Sequence, residues 1–348
     1  MTVQAGTRSG RVEWLDYARG IGITLVVLGH VIYGARTEIV GPQLNAYLFL
    51  TDLIYSFHMP LFFFASGALF RRRSELSVPR FARGSFVGLV VPYVVWTVAF
   101  VALQHVPSGG VHHLYPLEDL LSIWRTPIAH MWFIYALFLL QIGFYLGFRI
   151  AGGVGIVAVG CICAFFYLAH LGLSLDSIAA RLVMGGTFFG LGYLCTSESI
   201  LAGWWQSRWV FMAAAALVWA GSIAYDMPVT EHARTSPVAA VAGVLMTVSA
   251  CLVFPRARGP LAILAMLGQA SIAIYVAHTI FAASLRILLY KLHVFNYDFH
   301  VLSETLFGLA APTLLYIVAN RLAISPFIGF GPTRQIPYHA IILPKSIA

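Results

Sequence analysis

The sequence is divided by recurring apolar runs of about 20 residues, and that recurrence limits the fold more than any other feature. A bilayer core offers no water to backbone N–H and C=O groups, so such a run crosses it as a helix, whose backbone bonds are all internal. About ten runs follow one another, at 14–33, 46–70, 84–106, 130–149, 152–171, 178–196, 208–225, 236–254, 261–289 and 301–323. Only 10% of the residues are charged, against about a quarter in soluble domains, and mean hydropathy is +0.84. The expected fold is an all-α polytopic membrane protein, a bundle of about ten transmembrane helices. It forms one integral domain over 1–348, with short tails at 1–13 and 324–348.

Residues 1–13 are short, polar and basic, without the apolar stretch and small-residue cleavage site of a secretory signal, so the first run is expected to stay as a span. Net charge is +8, but the basic residues stand in short loops beside apolar segments. That placement reads as topology signal and contact with membrane lipids rather than nucleic acid. With the N-terminus inside, the inner side collects Arg8, Arg11, Arg71, Arg72, Arg73, Arg80, Arg83, Arg149, Arg208, Arg256, Arg258, Arg321, Arg334 and Lys345. The outer side keeps Arg36, Arg125, Arg234 and Lys291. This bias predicts both termini in the cytoplasm. In the long outer loop 107–129, LEDLLSIW reads as an amphipathic helix at the surface.

The first run, LDYARGIGITLVVLGH, carries Asp16 and Arg19 at one end and His30 at the other. Arg19 and His30 are three helical turns plus roughly 20° apart, so they share a face, about 16 Å apart along the axis. Asp16 stands at pairing distance from Arg19 on a helix. A charge at bilayer depth needs a polar cavity or a partner. Two readings stand: an interfacial Asp16–Arg19 clasp with a hydrogen-bonded His30, or a functional polar rail.

The second run holds YSFHMPLFFFASGALFRRR. Pro60 predicts a kink, and His58 beside it is placed to bond a freed carbonyl. Arg71, Arg72 and Arg73 serve either as positive-inside anchors or as a phosphate clamp, because guanidinium forks match phosphate oxygens. In HMWFIYALFLL, Trp132 and Tyr135 read as an interfacial aromatic belt with His130 at the headgroups. In ASIAIYVAHTIF, Tyr275 and His278 share a face, and a packed, hydrogen-bonded His278 is the simpler reading. Arg181 and Arg286 show no local partner in sequence, and the Gly-rich sixth run (GGTFFGLGY) suits close helix contact.

Cys161, Cys163, Cys195 and Cys251 form no CxxC pair, so neither a disulfide framework nor a zinc ribbon is indicated. His105, His112, His113, Glu118 and Asp119 match no zinc spacing, and no metal is expected.

Taken in order, RVEWLDYARGIGITLVVLGH, FHMPLFFFASGALFRRR, HMWFIYALFLL and ASIAIYVAH resemble the acyltransferase 3 family of integral membrane O-acyltransferases, in its standalone form. The resemblance implies transfer of an acyl group, usually acetyl from cytoplasmic acetyl-CoA, to a hydroxyl of a carbohydrate acceptor: surface polysaccharide, lipopolysaccharide or lipid-linked sugar. It carries over to Arg19 and His30 and to an arginine pair that Arg71 and Arg73 fit, with Arg72 between them. It implies a bacterial cytoplasmic (inner) membrane. On this reading Arg19, Arg71, Arg72 and Arg73 hold the acetyl-CoA phosphates at the inner mouth. His30 then acts as general base or as transient acyl carrier, with Asp16, His58, Trp132 and His278 in support. The rival class is a transporter of a glycan or lipid intermediate, though the chain shows no inverted repeat or paired broken helices. A silent membrane scaffold is the third reading.

Overall fold

The computed structural model describes residues 13–35, 42–106, 114–169, 177–196, 203–204, 207–226, 236–254 and 259–330. Of the expected tails 1–13 and 324–348, residues 1–12 and 331–348 fall outside these residues, as do the histidines at 112 and 113 and part of the outer loops. The described elements are helical, with no strand among them.

In chain order the helices are α1 (Glu13–Ala35), α2 (Pro42–Tyr55), α3 (His58–Ser74), α4 (Val78–Ser85) and α5 (Val91–Gln104), the last two joined by a π-helical turn. Then come α6 (Trp132–Leu168), α7 (Ile178–Cys195), α8 (Arg208–Asp226) and α9 (Pro237–Val253). The last three are α10 (Pro260–Gln269), α11 (Ser271–Lys291) and α12 (Tyr297–Arg321). Eight helical stretches are long and apolar enough to cross a membrane. The longest is a hairpin. Ala151 leaves helical geometry and Gly152 takes φ +58°, a left-handed conformation glycine adopts without a Cβ clash. The arms fold back so closely that a Cβ on Gly155 would lie 1.9 Å from the carbonyl oxygen of Gly147. In a straight helix those residues would stand about 12 Å apart. The fourth and fifth sequence runs are therefore separate arms, and α9 is a shorter apolar helix beside the eight.

The second run breaks earlier than Pro60. The helix stops at Tyr55 and restarts at His58, which puts Pro60 in the first turn of α3. The first four N–H groups of a helix have no internal partner, so proline removes nothing there. The ninth run also divides, at Ala270, into α10 and α11. Backbone bonds cross the bend from Ala270 N to Met266 O and from Ile274 N to Ala270 O. LEDLLSIW forms a short 3₁₀ turn at Leu117–Ser122 instead of an α-helix, with Leu121 and Trp124 exposed.

Helix α1 is the hub, packing against α2, α3, α9, α10, α11 and α12. Its core-facing Ile23, Val26 and Val27 are fully enclosed. Gly20 and Gly268 bring α1 and α10 into backbone contact: a Cβ on Gly20 would lie 2.1 Å from Leu264 O. On the far side, α3, α6 and α7 pack together through the glycines of the sixth run, as its composition suggested.

Candidate functional site

Two neighbours fix the direction and height of every side chain on α1. Gly22 meets Phe62 and Gly29 meets Tyr55, so α2–α3 runs antiparallel to α1. Arg19 Nη2 donates to Ser271 Oγ at 2.8 Å, and Arg286 Nη2 donates to Val31 O at 3.3 Å, so α11 runs parallel to it. Arg19 and the α3 terminus with Arg71, Arg72 and Arg73 therefore share one end of the bundle. His30 and His58 stand toward the other.

At that second end three imidazoles meet. The His30 and His278 ring centroids are 5.0 Å apart, His30 and His130 5.9 Å, and His130 and His278 5.2 Å. They come from α1, from the 3₁₀ turn Ala129–Met131 and from α11. His30 is half-buried, while His130 and His278 are enclosed. His130 thus lies in the protein interior, not at the headgroups as its sequence position suggested. It is held there by Tyr275, whose hydroxyl donates to the His130 carbonyl, and by Ala129, whose φ of +48° is strained for a residue with a Cβ.

The ring orientations carry chemical information. His30 Nδ1 lies 2.8 Å from Val26 O, and His278 Nδ1 lies 2.8 Å from Tyr275 O. A carbonyl only accepts, so in each neutral ring Nδ1 carries the hydrogen and Nε2 carries the lone pair. His58 repeats the pattern, donating from Nδ1 to Ile54 O at 2.8 Å. That carbonyl lies at the Ser56 break, so the bonding foreseen for His58 holds with the break relocated. Tyr55 stands between, its ring 5.0 Å from His58 and 6.5 Å from His30.

At the first end the arginines differ in setting. Arg71 is exposed, covers the Tyr193 ring at 5.4 Å and donates to Thr196 O at 3.3 Å. Arg72 is exposed. Arg73 turns inward: its Nη2 donates to Ser85 Oγ at 2.9 Å, its guanidinium covers Phe81 at 5.7 Å, and its Nε is buried without a partner. Asp16 is buried in the first turn of α1, where a carboxylate faces the positive end of the helix dipole.

Trp132 is half-buried, with the Arg181 guanidinium 4.6 Å above its ring, a cation–π contact. Arg286 also has a partner that short-range spacing concealed. Its Nη2 meets Glu304 Oε2 at 2.7 Å, and His300 Nδ1 lies 2.9 Å from Glu304 Oε1. The only sequence signal was Glu304 itself, an acid in the apolar last run. No group of three or more His, Cys, Asp or Glu among the described residues is arranged to hold a metal ion, and the four cysteines are free thiols.

The family model described as an acyltransferase domain matches residues 12–321. The nodulation protein NolL of Mesorhizobium japonicum is 28% identical over 224 residues, which covers 60% of this chain and 54% of that protein. The chain thus spans about half the length of this curated relative. No solved structure matches it.

Proposed function

Because the chain belongs to the acyltransferase domain family, we propose that it is a membrane O-acyltransferase that moves an acetyl group from acetyl-CoA to a hydroxyl of a carbohydrate acceptor. The observation that carries this reading is the polarity of α1. Arg19 stands at the end of the bundle that holds Arg71–Arg73. His30 stands about 16 Å along the same helix, with its Nε2 lone pair free of the Nδ1–Val26 bond.

The arginine end suits the polyanionic head of acetyl-CoA, since guanidinium groups bind phosphate through charge-assisted hydrogen bonds. We assign that end to the cytoplasmic side, with both chain termini, in a bacterial inner membrane. The pantetheine arm would run along α1 toward His30. There Nε2 takes the proton of the acceptor hydroxyl as its oxygen attacks the thioester carbonyl; the C–S bond breaks and the CoA thiolate receives the proton. In the carrier variant Nε2 itself attacks the thioester carbonyl and the C–S bond breaks to release CoA thiolate; the hydroxyl oxygen then takes the acyl group as the N–acyl bond breaks, and its proton goes to the thiolate.

The test uses purified protein in nanodiscs with acetyl-CoA carrying a radiolabelled acetyl group and membrane-derived glycolipids as acceptors. Label in the glycan supports the reading. CoA release at the buffer rate, with no labelled glycan, rejects it.

A further inference from the structure

Two enclosed ring nitrogens beside His30 have no partner in the protein, Nε2 of His278 and Nε2 of His130. His278 is 0% exposed and His130 7%. A polar atom buried without a hydrogen bond costs the fold its full desolvation, so buried polar atoms are almost always paired. Here the fold leaves two of them on rings whose centroids are 5.2 Å apart, and both rings are held in place. His278 is locked from behind by the Tyr275 and Ile274 carbonyls. His130 sits after the left-handed Ala129 and under the Tyr275 hydroxyl.

We propose that His130 and His278 form a hydroxyl-binding subsite, next to the reacting nitrogen of His30, for a neutral polyhydroxylated acceptor. The inference rests on the acyl-transfer reading and adds to it the groups that hold the acceptor. With Nδ1 of His278 bonded to carbonyls, its Nε2 is an acceptor and needs an O–H or N–H donor. The centroids lie 5.0–5.9 Å apart, the span over which one molecule with several hydroxyls meets more than one ring. The surroundings are aromatic: the His130 ring packs edge-on against Phe100 at 5.6 Å and against Tyr275 at 5.6 Å. Aromatic surroundings suit the C–H faces of a sugar. Phosphate offers acceptors instead of donors, so this end of the bundle disfavours the CoA head, which the arginine end suits.

A three-carbon series tests this: 1-propanol, 1,2-propanediol and glycerol at equal concentration, with radiolabelled acetyl-CoA and the full chain in nanodiscs. The readout is the ratio of glycerol ester to propyl ester within each preparation, which a slower or less stable variant still reports. The wild type is expected to favour glycerol about tenfold, the scale of one to two buried hydrogen bonds. His278→Phe and His130→Phe keep a ring but lose the unpartnered Nε2, and each should bring the ratio toward unity. His278→Gln, whose amide oxygen reaches the same place, should recover part of it. A wild-type ratio near unity, or an unchanged ratio in both Phe variants, overturns the subsite. A wild type that labels glycolipids but none of the three alcohols also overturns the subsite as drawn, whereas failure to label glycolipids and alcohols alike is a different result: it removes the acyl-transfer reading on which the subsite rests.

Discussion

His30 on α1 and His278 on α11 stand at one height in the bundle, their rings 5.0 Å apart and crossed at 74°. The level is set at both ends of the helix pair, by Arg19 on Ser271 and by Arg286 on the carbonyl of Val31. Each ring donates from Nδ1 to its own helix backbone. Two neutral rings, each with an Nε2 lone pair outside its backbone bond, thereby stand together where apolar sequence alone would give only packing.

The role proposed for His30 predicts that His30→Ala lowers acetyl transfer by about 10²–10⁴-fold, the range supplied by a positioned base. Thermal unfolding should change little, because the ring is half-buried and its bond is to its own helix. The measurement is CoA release paired with a melting curve. Activity within tenfold of wild type in a folded variant would remove His30 from the chemistry.

The donor path predicts a different signature at the other end. Arg71→Ala and Arg73→Lys should each raise KM for acetyl-CoA about tenfold, the scale of one charge-assisted hydrogen bond. Lysine keeps the charge of Arg73 but not its planar fork. The effect should shrink with acetyl-dephospho-CoA, which lacks one phosphate, and kcat should fall less than KM rises. Equal losses on both donors would place these arginines in packing alone.

Much of this arrangement was readable in sequence, for a physical reason. Arg19 and His30 lie on one helix, and helical periodicity needs no tertiary information to put them on one face. The sequence does not reveal the inward turn of His130, because its position before an apolar run is the same whether it faces lipid headgroups or turns inward. The left-handed Ala129 and the reach of Tyr275, from a distant helix, decide that. The partner of Arg286 is hidden from local spacing because Glu304 lies one helix further on, beyond any i,i+4 spacing. Pro60 misled on the break because proline kinks a helix only after its first turn, and the chain had already stopped at Tyr55.

The Arg286–Glu304 pair carries the third prediction. Glu304 is fully enclosed and the Arg286 side chain 11% exposed, so Glu304→Gln leaves a buried guanidinium without its counter-charge. Breaking one partner of a buried pair costs about 3–5 kcal/mol. Replacing both, Arg286→Met with Glu304→Leu, should return part of the loss, because an apolar pair avoids the desolvation of two charges while His300 Nδ1 still loses its bond to Glu304. Melting temperatures of the three proteins in one detergent decide it. A double variant no more stable than Glu304→Gln would show that the guanidinium contributes mainly through its bond to Val31.

The last prediction concerns the contact that closes the far side of the bundle. A Cβ on Gly67 would lie 1.9 Å from the carbonyl oxygen of Phe189 and 2.7 Å from its carbon. Both are backbone atoms of α7, which no rotamer change can move aside. Gly67→Ala should force α3 and α7 apart and cost about 1–3 kcal/mol, the range for overpacking. Gly143, in the first arm of α6, is different: a Cβ there would meet nothing within 4 Å. Gly143→Ala should therefore be neutral or gain about 0.5–1 kcal/mol from lower chain entropy in the unfolded state. The two substitutions add the same methyl group to helices of one protein, so opposite shifts in melting temperature would isolate the α3–α7 backbone contact as the cause. If Gly67→Ala melts with the wild type, the two helices do not approach as closely as the contact requires.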